Sequence, residues 1–586
     1  ICQGQLDAVV PLENASMPGR VVVQWDKDDC TDMGIVKVDL LGLGMMAALQ
    51  DALAIANVPG LVTRGSKLDA SHAPSHEPRV DLAHLPPGDP LVYEMLQTAD
   101  TIGLFQVESR AQMATLPRLK PACFYDIVVQ VAIIRPGPIV GQMVHPYLNR
   151  RAGREPVVYP HPLLEPVLKR TLGVPLFQEQ LLRIAMIAAG FTGGQAEDLR
   201  RAMGFKRSEK RMRKLESQLR EGMANNGIAG DEAEKIITAI MSFALYGFPE
   251  SHAASFALLA YASAYLKAHY PAAFYCALLN NQPMGFYHPS TLVKDAQRRG
   301  VRFHPIDVQI SDWNCTVEED GAVRLGLRYV SGLRDEVGKI IPTSDEPRFS
   351  SLDDLVTRTG LRRAELVTLA DIGALNSFGY DRRSALWQAE QAARPAGELF
   401  ATADTTINAE HAEHAENLFL EELNSASLAC SALNVVDQDR SPLKPMTESE
   451  RIVADYAGTG LTIGRHPMAL RRDELATRGI SRAIDLRTAR NGRRVRVAGM
   501  VITRQRPGTA KGFVFLTLED ETGVANIIVR PDLFLRDRLV LTDEPFLLVD
   551  GVLQNQDGVT SVRAERIAGL PAGGVRDLDF DAHDFY

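Results

Sequence analysis

The stretch GIVKVDLLGLG, Gly34–Gly44, sets one carboxylate, Asp39, at the end of a short apolar run and two residues after Lys37. Residues two apart on a strand share a face, so Lys37 and Asp39 are expected side by side. A helix-prone segment, Met45–Ala56, follows. A lone carboxylate at a strand end is most often a cap or a solvated charge, so Asp39 gains weight only from its surroundings. Before it, VVVQW at Val21–Trp25 is strand-like and DKDDCTD at Asp26–Asp32 reads as a charged turn. After it, a polar loop bearing His and Pro runs from Arg64 to Asp89.

From Leu91 to about His304 the pattern is mostly helical. Leu181–Ala189, Asp231–Ala244 and Phe256–His269 each carry apolar residues at helical spacing. Gly and Pro punctuate the pattern at Arg135–Pro138 and Tyr246–Pro249. Lys267 and His269 are expected on a helix face. Residues 305–390 change character. GLRYVSGLRDEVGKII, Gly326–Ile341, and ELVTLADIGALNSFG, Glu365–Gly379, each resemble a helix-hairpin-helix. Gly332 and Gly373 would let the backbone turn and open a helix whose N–H groups face a phosphate. An ordinary glycine-containing turn between helices is the competing reading.

Residues 391–425 are rich in Ala, Glu and His and read as a linker. Thr447–Arg490 is mixed helical. From Arg493 to Leu570 the period switches to two, with VRVAGMVI, FVFLTLED, ANIIVR, FLLVDGVLQ and TSVRAERI separated by turn signals such as Glu521–Gly523 and Asp557–Gly558. Five such strands fit an OB-fold barrel. Its candidate contacts to single-stranded nucleic acid are Arg504, Arg506, Lys511, Phe513 and Phe515. Phe513 and Phe515 share a face, which is either the barrel interior or a stacking surface. The tail from Gly573 is acidic and expected to be loose.

A chain of 586 residues has room for roughly three to five domains. No run of about 18 apolar residues predicts a membrane span, and no secretory start is present at Ile1. Cys2, Cys30, Cys123, Cys276, Cys315 and Cys430 are scattered, without a CxxC pair. That favours reduced thiols in a cytosol over a disulfide frame or a cysteine zinc site. The net charge of −9 hides an asymmetry: Val107–Arg220 holds 19 Lys and Arg against 9 Asp and Glu. The densest basic stretch, Arg200–Arg220, is either a solvated helix face or a surface for a polyanion.

Two further segments, GLFQVES at Gly103–Ser109 and AIIRPGP at Ala132–Pro138, join the Asp39 stretch. Together they resemble the palm-to-fingers junction of bacterial C-family DNA polymerases, the family of the replicative polymerase III alpha subunit. LFQEQLLRIA (Leu176–Ala185), LRRAMGFKR (Leu199–Arg207) and YGFPESHAASFALLAYASAYLKAHYP (Tyr246–Pro271) follow in the order and spacing of that family's fingers. The resemblance implies that Asp39 is the third metal-binding carboxylate of the palm, holding Mg²⁺. The family's other two carboxylates belong to an upstream PD-x-D type motif that has no counterpart here. It implies an incoming-nucleotide pocket drawn from Lys37, Arg135, Gln178, Arg200, Arg201, Lys206, Ser251 and His252. For His252 a cap or core role competes with the nucleotide.

QWDKDDC (Gln24–Cys30), SERIVADY (Ser449–Tyr456), TGLTIGRHPM (Thr459–Met468) and the ending HDFY resemble the error-prone, damage-induced branch. Where the replicative branch carries a clamp-binding peptide, this chain has AGELF, Ala396–Phe400. Leu399 and Phe400 are either a weakened sliding-clamp contact or a chance apolar pair. A weak contact implies recruitment through accessory mutasome proteins.

The expected architecture is multidomain and mainly α. An α/β palm edge (1–44) leads into helical fingers (45–304) and a tandem helix-hairpin-helix region (305–390). A linker with a helical segment (391–490), an OB-fold β-barrel (491–570) and an acidic tail (571–586) complete it. The chain starts at Ile1 and enters the junction at once, so the expectation is the C-terminal part of a longer enzyme, without an N-terminal PHP domain and most of the palm, and inactive alone. The expected activity is template-directed transfer of dNTPs to a primer in a bacterial cytoplasm, during translesion synthesis. The alternatives are a replicative alpha subunit and a non-catalytic DNA-binding module.

Overall fold

Alternating apolar and polar residues over Arg494–Gly569 close into a barrel because one face of every strand must leave water. In chain order the strands are β1 (Leu12–Asn14), β2 (Val21–Val23), β3 (Phe303–His304), β4 (Thr316–Val317), β5 (Val323–Arg324), β6 (Arg494–Gln505), β7 (Val514–Asp520), β8 (Gly523–Val529), β9 (Phe546–Gln556), β10 (Val559–Gly569) and β11 (His583–Phe585). The computed structural model describes residues 5–14, 21–25, 27–35, 42–59, 79–134, 140–204, 209–244, 248–341, 349–392, 441–570 and 583–585. Strands β6, β7, β8, β10 and β9 hydrogen-bond in that order, and β9 returns to β6. Closure removes the exposed edges that an open sheet would leave. The interior is filled by Val495, Val497, Val514, Leu516, Leu518, Ile527, Val549, Leu553 and Val562, among others.

β6 outruns its partner β9: the last β6–β9 pair is Met500 with Phe546. Its free edge at Thr503–Gln505 is taken in parallel by β11. The chain end is therefore ordered at 583–585, where the sequence led to a loose tail. Residues 571–582 lie outside the described residues.

The chain divides into two compact units. One comprises Ile1–Ala47, Pro86–Asp100 and Leu104–Ala262; the other comprises Ala48–Leu85, Thr101–Gly103 and Ser263–Tyr586. In the first unit, helices Gln178–Ala189, Gly193–Gly204, Glu209–Asn225 and Asp231–Ala244 share a core. Leu181, Ile184, Ala185 and Ala188 form the apolar stripe of one, and Ala233, Ile236, Ile237 and Ile240 that of another. At Gly222 a Cβ would lie 2.0 Å from the Ala189 carbonyl oxygen, so only glycine lets those backbones approach. The charged segment expected as a turn is helical over Lys27–Asp32. Gly34, at φ +69°, closes it.

In the second unit, β3, β5 and β4 make a small sheet. Helices Asp335–Ile340, Leu352–Thr359, Arg363–Asp371 and Arg382–Ala392 follow. Lys267 is on a helix, as expected, but its side chain is fully buried. Its Nζ donates to the Ile102 carbonyl at 2.7 Å and pairs with Asp295 at 3.0 Å. Desolvating an ammonium is tolerable only with such partners. His269 is also buried, its ring packed on Tyr265 at 4.4 Å. Among the described residues no helix is long and apolar enough to cross a membrane.

Candidate functional site

Two helix starts, distant in sequence, are tied together in the first unit. Gln178 opens helix Gln178–Ala189, and Ser251 and His252 follow Glu250 at the start of helix Glu250–His269. The Gln178 N–H donates to the Phe248 carbonyl at 3.1 Å. The Glu250 N–H donates to the Glu179 carboxylate at 2.9 Å. Each helix start carries unpaired N–H groups and a partial positive charge, so an acidic side chain is stabilised there. Glu250 also accepts from the Tyr125 hydroxyl at 3.1 Å. The Arg170 guanidinium lies over the Tyr125 ring at 3.7 Å. Burial, and then the neighbouring Glu250, push the Tyr125 phenol well above its ordinary pKa, so it stays a proton donor in that bond.

Gln178, Ser251 and His252 are therefore brought to one neighbourhood. The His252 ring packs between Phe248 at 5.2 Å and Phe256 at 4.1 Å and is partly exposed. Ser251 is exposed. Arg200, on helix Gly193–Gly204, is exposed and grips Glu197 through two bonds of 2.9 and 2.6 Å. That hydrogen-bonded pair, with a smaller effect of Glu179, raises its pKa. Arg201 lies on the same helix. Asp39, Lys37, Arg135, Lys206, Leu399 and Phe400 lie outside the described residues. The helix that leads to Arg135, Phe124–Ile133, is anchored by Asp126, which accepts from Arg151 at 2.6 and 2.7 Å and from the N–H groups of Ala122 and Cys123. Glu179, Glu250, Tyr125 and Arg170 escaped the sequence reading. Their one signal was the acidic residue in each first turn.

In the hairpin region, Gly332 (φ +77°) and Gly373 (φ +84°) both take the left-handed conformation that the turns demand. Gly332 lies between a 3₁₀ turn, Leu327–Tyr329, and helix Asp335–Ile340. Gly373 follows helix Arg363–Asp371 and precedes a 3₁₀ turn, Asn376–Phe378. Glu365 ties Arg334, just past the Gly332 turn, to the start of helix Arg363–Asp371. It accepts from the Arg334 guanidinium at 2.9 Å, from the Arg334 N–H at 3.0 Å and from the Arg362 N–H at 2.8 Å. The Arg334 bond, above all, lowers the Glu365 pKa to about 2.

On the barrel, Val514 and Leu516 point inward, so Phe513 and Phe515 stand half-buried on the outer side. That settles their shared face as the outer one. Arg506 is exposed, its guanidinium 4.7 Å from the Phe534 ring, and Lys511 is exposed. Arg504 differs from the expectation. It is buried and donates to the carbonyls of Leu541 at 2.8 Å and Glu544 at 2.9 Å. Those are the unpaired carbonyls at the end of helix Arg538–Asp543, so the cation acts as a helix C-cap. Within the second unit, Glu519 of β7 is fully buried and accepts from Arg298 at 2.9 Å. His466 Nε2 is 3.8 Å from the other Glu519 oxygen. Because His466 Nδ1 accepts from the Met468 N–H at 3.1 Å, the imidazole proton sits on Nε2, facing Glu519.

Four family models match. That of the bacterial DNA polymerase III alpha NTPase domain covers residues 1–42, and that of the finger domain of the same subunit covers 67–227. A helix-hairpin-helix motif matches 300–385, and an OB-fold nucleic acid binding domain matches 495–568. The error-prone DNA polymerase of Anaeromyxobacter sp. (strain K) is 48% identical over 99% of this chain and 49% of its own length. That of Alkalilimnicola ehrlichii is 45% identical over 99% and 53%, and that of Methylococcus capsulatus 46% over 96% and 51%. The chain thus spans about half the length of the curated relatives it matches. An asparaginyl-tRNA synthetase from Pyrococcus horikoshii aligns to 15% of the chain at 21% identity and a TM-score of 0.13, too slight a likeness to bear on the fold. Over nearly all its length the chain is similar to proteins named error-prone DNA polymerase, and two of its segments match domains of the bacterial DNA polymerase III alpha subunit.

Proposed function

We propose that the intact protein is an error-prone, DNA-directed DNA polymerase acting in the bacterial cytoplasm, and that this chain supplies its fingers, hairpins and barrel. The observation that carries this reading is the pairing of two helix starts, Gln178 and Glu250–His252, beside Arg200 in a sequence that is 48% identical to such enzymes. A triphosphate suits such a place, because helix N–H groups and arginines both favour phosphate oxygens. Gln178, Arg200, Arg201, Lys206, Ser251 and His252 bind the incoming dNTP, with Lys37 and Arg135 towards its phosphates. Asp39 is an oxygen donor of the type a hard Mg²⁺ prefers. Bound there, the ion stabilises charge on the oxygens that attack and leave.

Gly332 and Gly373 bring the hairpin backbones to primer-template phosphates. Arg506, Lys511, Phe513 and Phe515 hold single-stranded template by charge and stacking. Leu399 and Phe400 make at most a weak clamp contact, and accessory mutasome proteins bring the enzyme to damage.

The test is single-nucleotide incorporation on primed DNA with Mg²⁺. It compares this chain alone with the chain joined to the N-terminal half of a relative. Incorporation by the joined form that Asp39→Ala abolishes, with DNA binding retained, supports the reading. No incorporation by either, with DNA binding intact, leaves a non-catalytic DNA-binding module. High processivity with a sliding clamp would favour a replicative enzyme.

A further inference from the structure

The small sheet ahead of the hairpins gathers a set of side chains that the polymerase reading leaves unused. β3 pairs with β5 in parallel, His304 opposite Arg324, and β4 pairs with β5 in antiparallel, Thr316 opposite Arg324. Glu318 lies two residues past Thr316 and so keeps its face. The turn from Glu318 to Gly321 is closed by the Gly321 N–H on the Glu318 carbonyl at 2.9 Å and the Glu318 N–H on the Ala322 carbonyl at 2.9 Å. That turn swings Asp320 back over the same face. His304 Nε2 then stands 3.3 Å from Glu318 Oε2 and 3.3 Å from Asp320 Oδ2. The three ligand atoms all lie within 4.8 Å of one another.

We propose that His304, Glu318 and Asp320 form a binding site for a divalent transition-metal ion of the zinc type. The spacing is the first argument. Zinc bound at about 2.0–2.2 Å in a tetrahedron sets neighbouring ligand atoms about 3.3–3.5 Å apart. Both measured separations from the imidazole match that edge. A hydrogen bond explains them less well. One ring nitrogen carries at most one proton, so its hydrogen bond to Asp320 leaves the equally close Glu318 oxygen at best a shared, weaker contact, and 3.3 Å is beyond the usual N–H···O range of about 2.7–3.2 Å.

The support around the ligands is the second argument. The other Glu318 oxygen is held by Arg324 Nε, and Arg324 also donates to the Pro305 carbonyl at 2.8 Å. The other Asp320 oxygen accepts from the Ala322 N–H at 2.9 Å. Arg302 donates to the Asp320 carbonyl at 2.5 Å and reaches Oδ2 at 3.1 Å, so it shares that oxygen with the ion. Each carboxylate thus has one oxygen fixed and the other turned to the imidazole, the outer-shell arrangement that orients metal ligands. With His304 neutral, Arg302 and Arg324 balance the two carboxylates, so the ion would leave this face at +2. Mg²⁺ fits worse, since it prefers six oxygen ligands in an octahedron. Solvent completes the coordination, because Asp320 is exposed and the others are half-buried. A site of this kind pins the sheet from which the first hairpin emerges.

The test is Zn²⁺ binding to the full chain by competition with a chromophoric chelator, with Co²⁺ absorption as a second readout. The wild type is expected to bind a single equivalent, with a Co²⁺ spectrum of a tetrahedral nitrogen and oxygen site lacking thiolate bands. His304→Ala and the nearly isosteric Asp320→Asn are each expected to weaken binding at least roughly tenfold. Zn²⁺ should raise the unfolding temperature of the wild type and not of the variants. Absence of saturable binding, or equal affinity in wild type and Asp320→Asn, overturns the proposal and leaves a cluster of ion pairs. Asp320→Asn carries the test alone if His304→Ala fails to fold.

Discussion

The C-terminal barrel and the paired helix starts of the first unit are built on opposite principles. The barrel is specified by neighbours in sequence: alternate residues of each strand face inward, and a closed ladder satisfies the backbone. Its buried charges are few, and those few are locked. Glu519 is held by Arg298, and Arg504 by two helix-end carbonyls. The helix starts are specified by partners far away, with Glu179 bonded to a residue 71 positions on. Beside them, on helix Gly193–Gly204, Arg200 is exposed and paired locally with Glu197. A charge that is buried and paired is a stability element. One that is exposed and loosely paired can change partner when a phosphate arrives.

Breaking the buried side should cost most. Glu519→Ala takes away the nearer carboxylate of the largely buried Arg298 guanidinium, leaving Asp295 at 3.7 Å, and about 3–5 kcal/mol of stability should be lost. Urea denaturation measures it. A loss below about 1 kcal/mol, the scale of surface pairs, would show that the site is wet.

The barrel's two kinds of candidate should then separate. Phe515→Ala is expected to weaken single-strand binding by about 1–3 kcal/mol without much change in stability. Arg504→Ala should do the reverse, losing about 1.5–3 kcal/mol of stability as two charge-assisted bonds disappear. Its salt dependence of DNA binding should be unchanged, because its guanidinium meets no phosphate. Fluorescence anisotropy over a salt series, beside thermal melts, reads both.

Glu179→Ala removes the carboxylate from the Glu250 N–H and should cost about 0.5–2 kcal/mol, as a lost helix cap does. Hydrogen exchange at the start of helix Glu250–His269 should rise in that variant. Unchanged protection would mean that the two helix starts are not coupled.

The smallest effect concerns pH. Glu365 has a folded pKa lowered to about 2 from 4.5, chiefly by Arg334. A depressed carboxylate stabilises the fold above its unfolded pKa. That contribution is lost as pH falls from about 4.5 to about 2. Arg334→Ala should flatten this part of the stability profile, measured by denaturant titration across that range.

The legible parts were those in which local pattern and final environment agree. The strands of the barrel fell where period two placed them, because every second residue does enter the core. Helix Asp231–Ala244 came out at its predicted bounds, its stripe at Ala233, Ile236, Ile237 and Ile240 being buried. Lys27–Asp32 was misread because its charges suggest a turn, while the helix depends on Gly34 to stop it. Lys267 was placed on the right helix but on a buried side of it, since an alanine-rich helix has no polar face to mark where solvent lies.

Taken alone, the sequence determined the resemblance to the polymerase III alpha family and a mainly helical, multidomain chain with a hairpin region and a C-terminal OB-fold, because those rest on motifs and short-range periodicity. Tertiary structure alone decided which charges are spoken for. Arg504 reads like any basic residue on a strand, yet it caps a helix that ends 39 residues later. Phe513 and Phe515 could face either way until Val514 and Leu516 were seen to fill the core. Glu179, Glu250, Arg298 and Glu519 draw their roles from partners that no spacing rule connects. Electrostatic and hydrogen-bonding energies depend on through-space distance and on exclusion of water, and both exist only once the chain has folded.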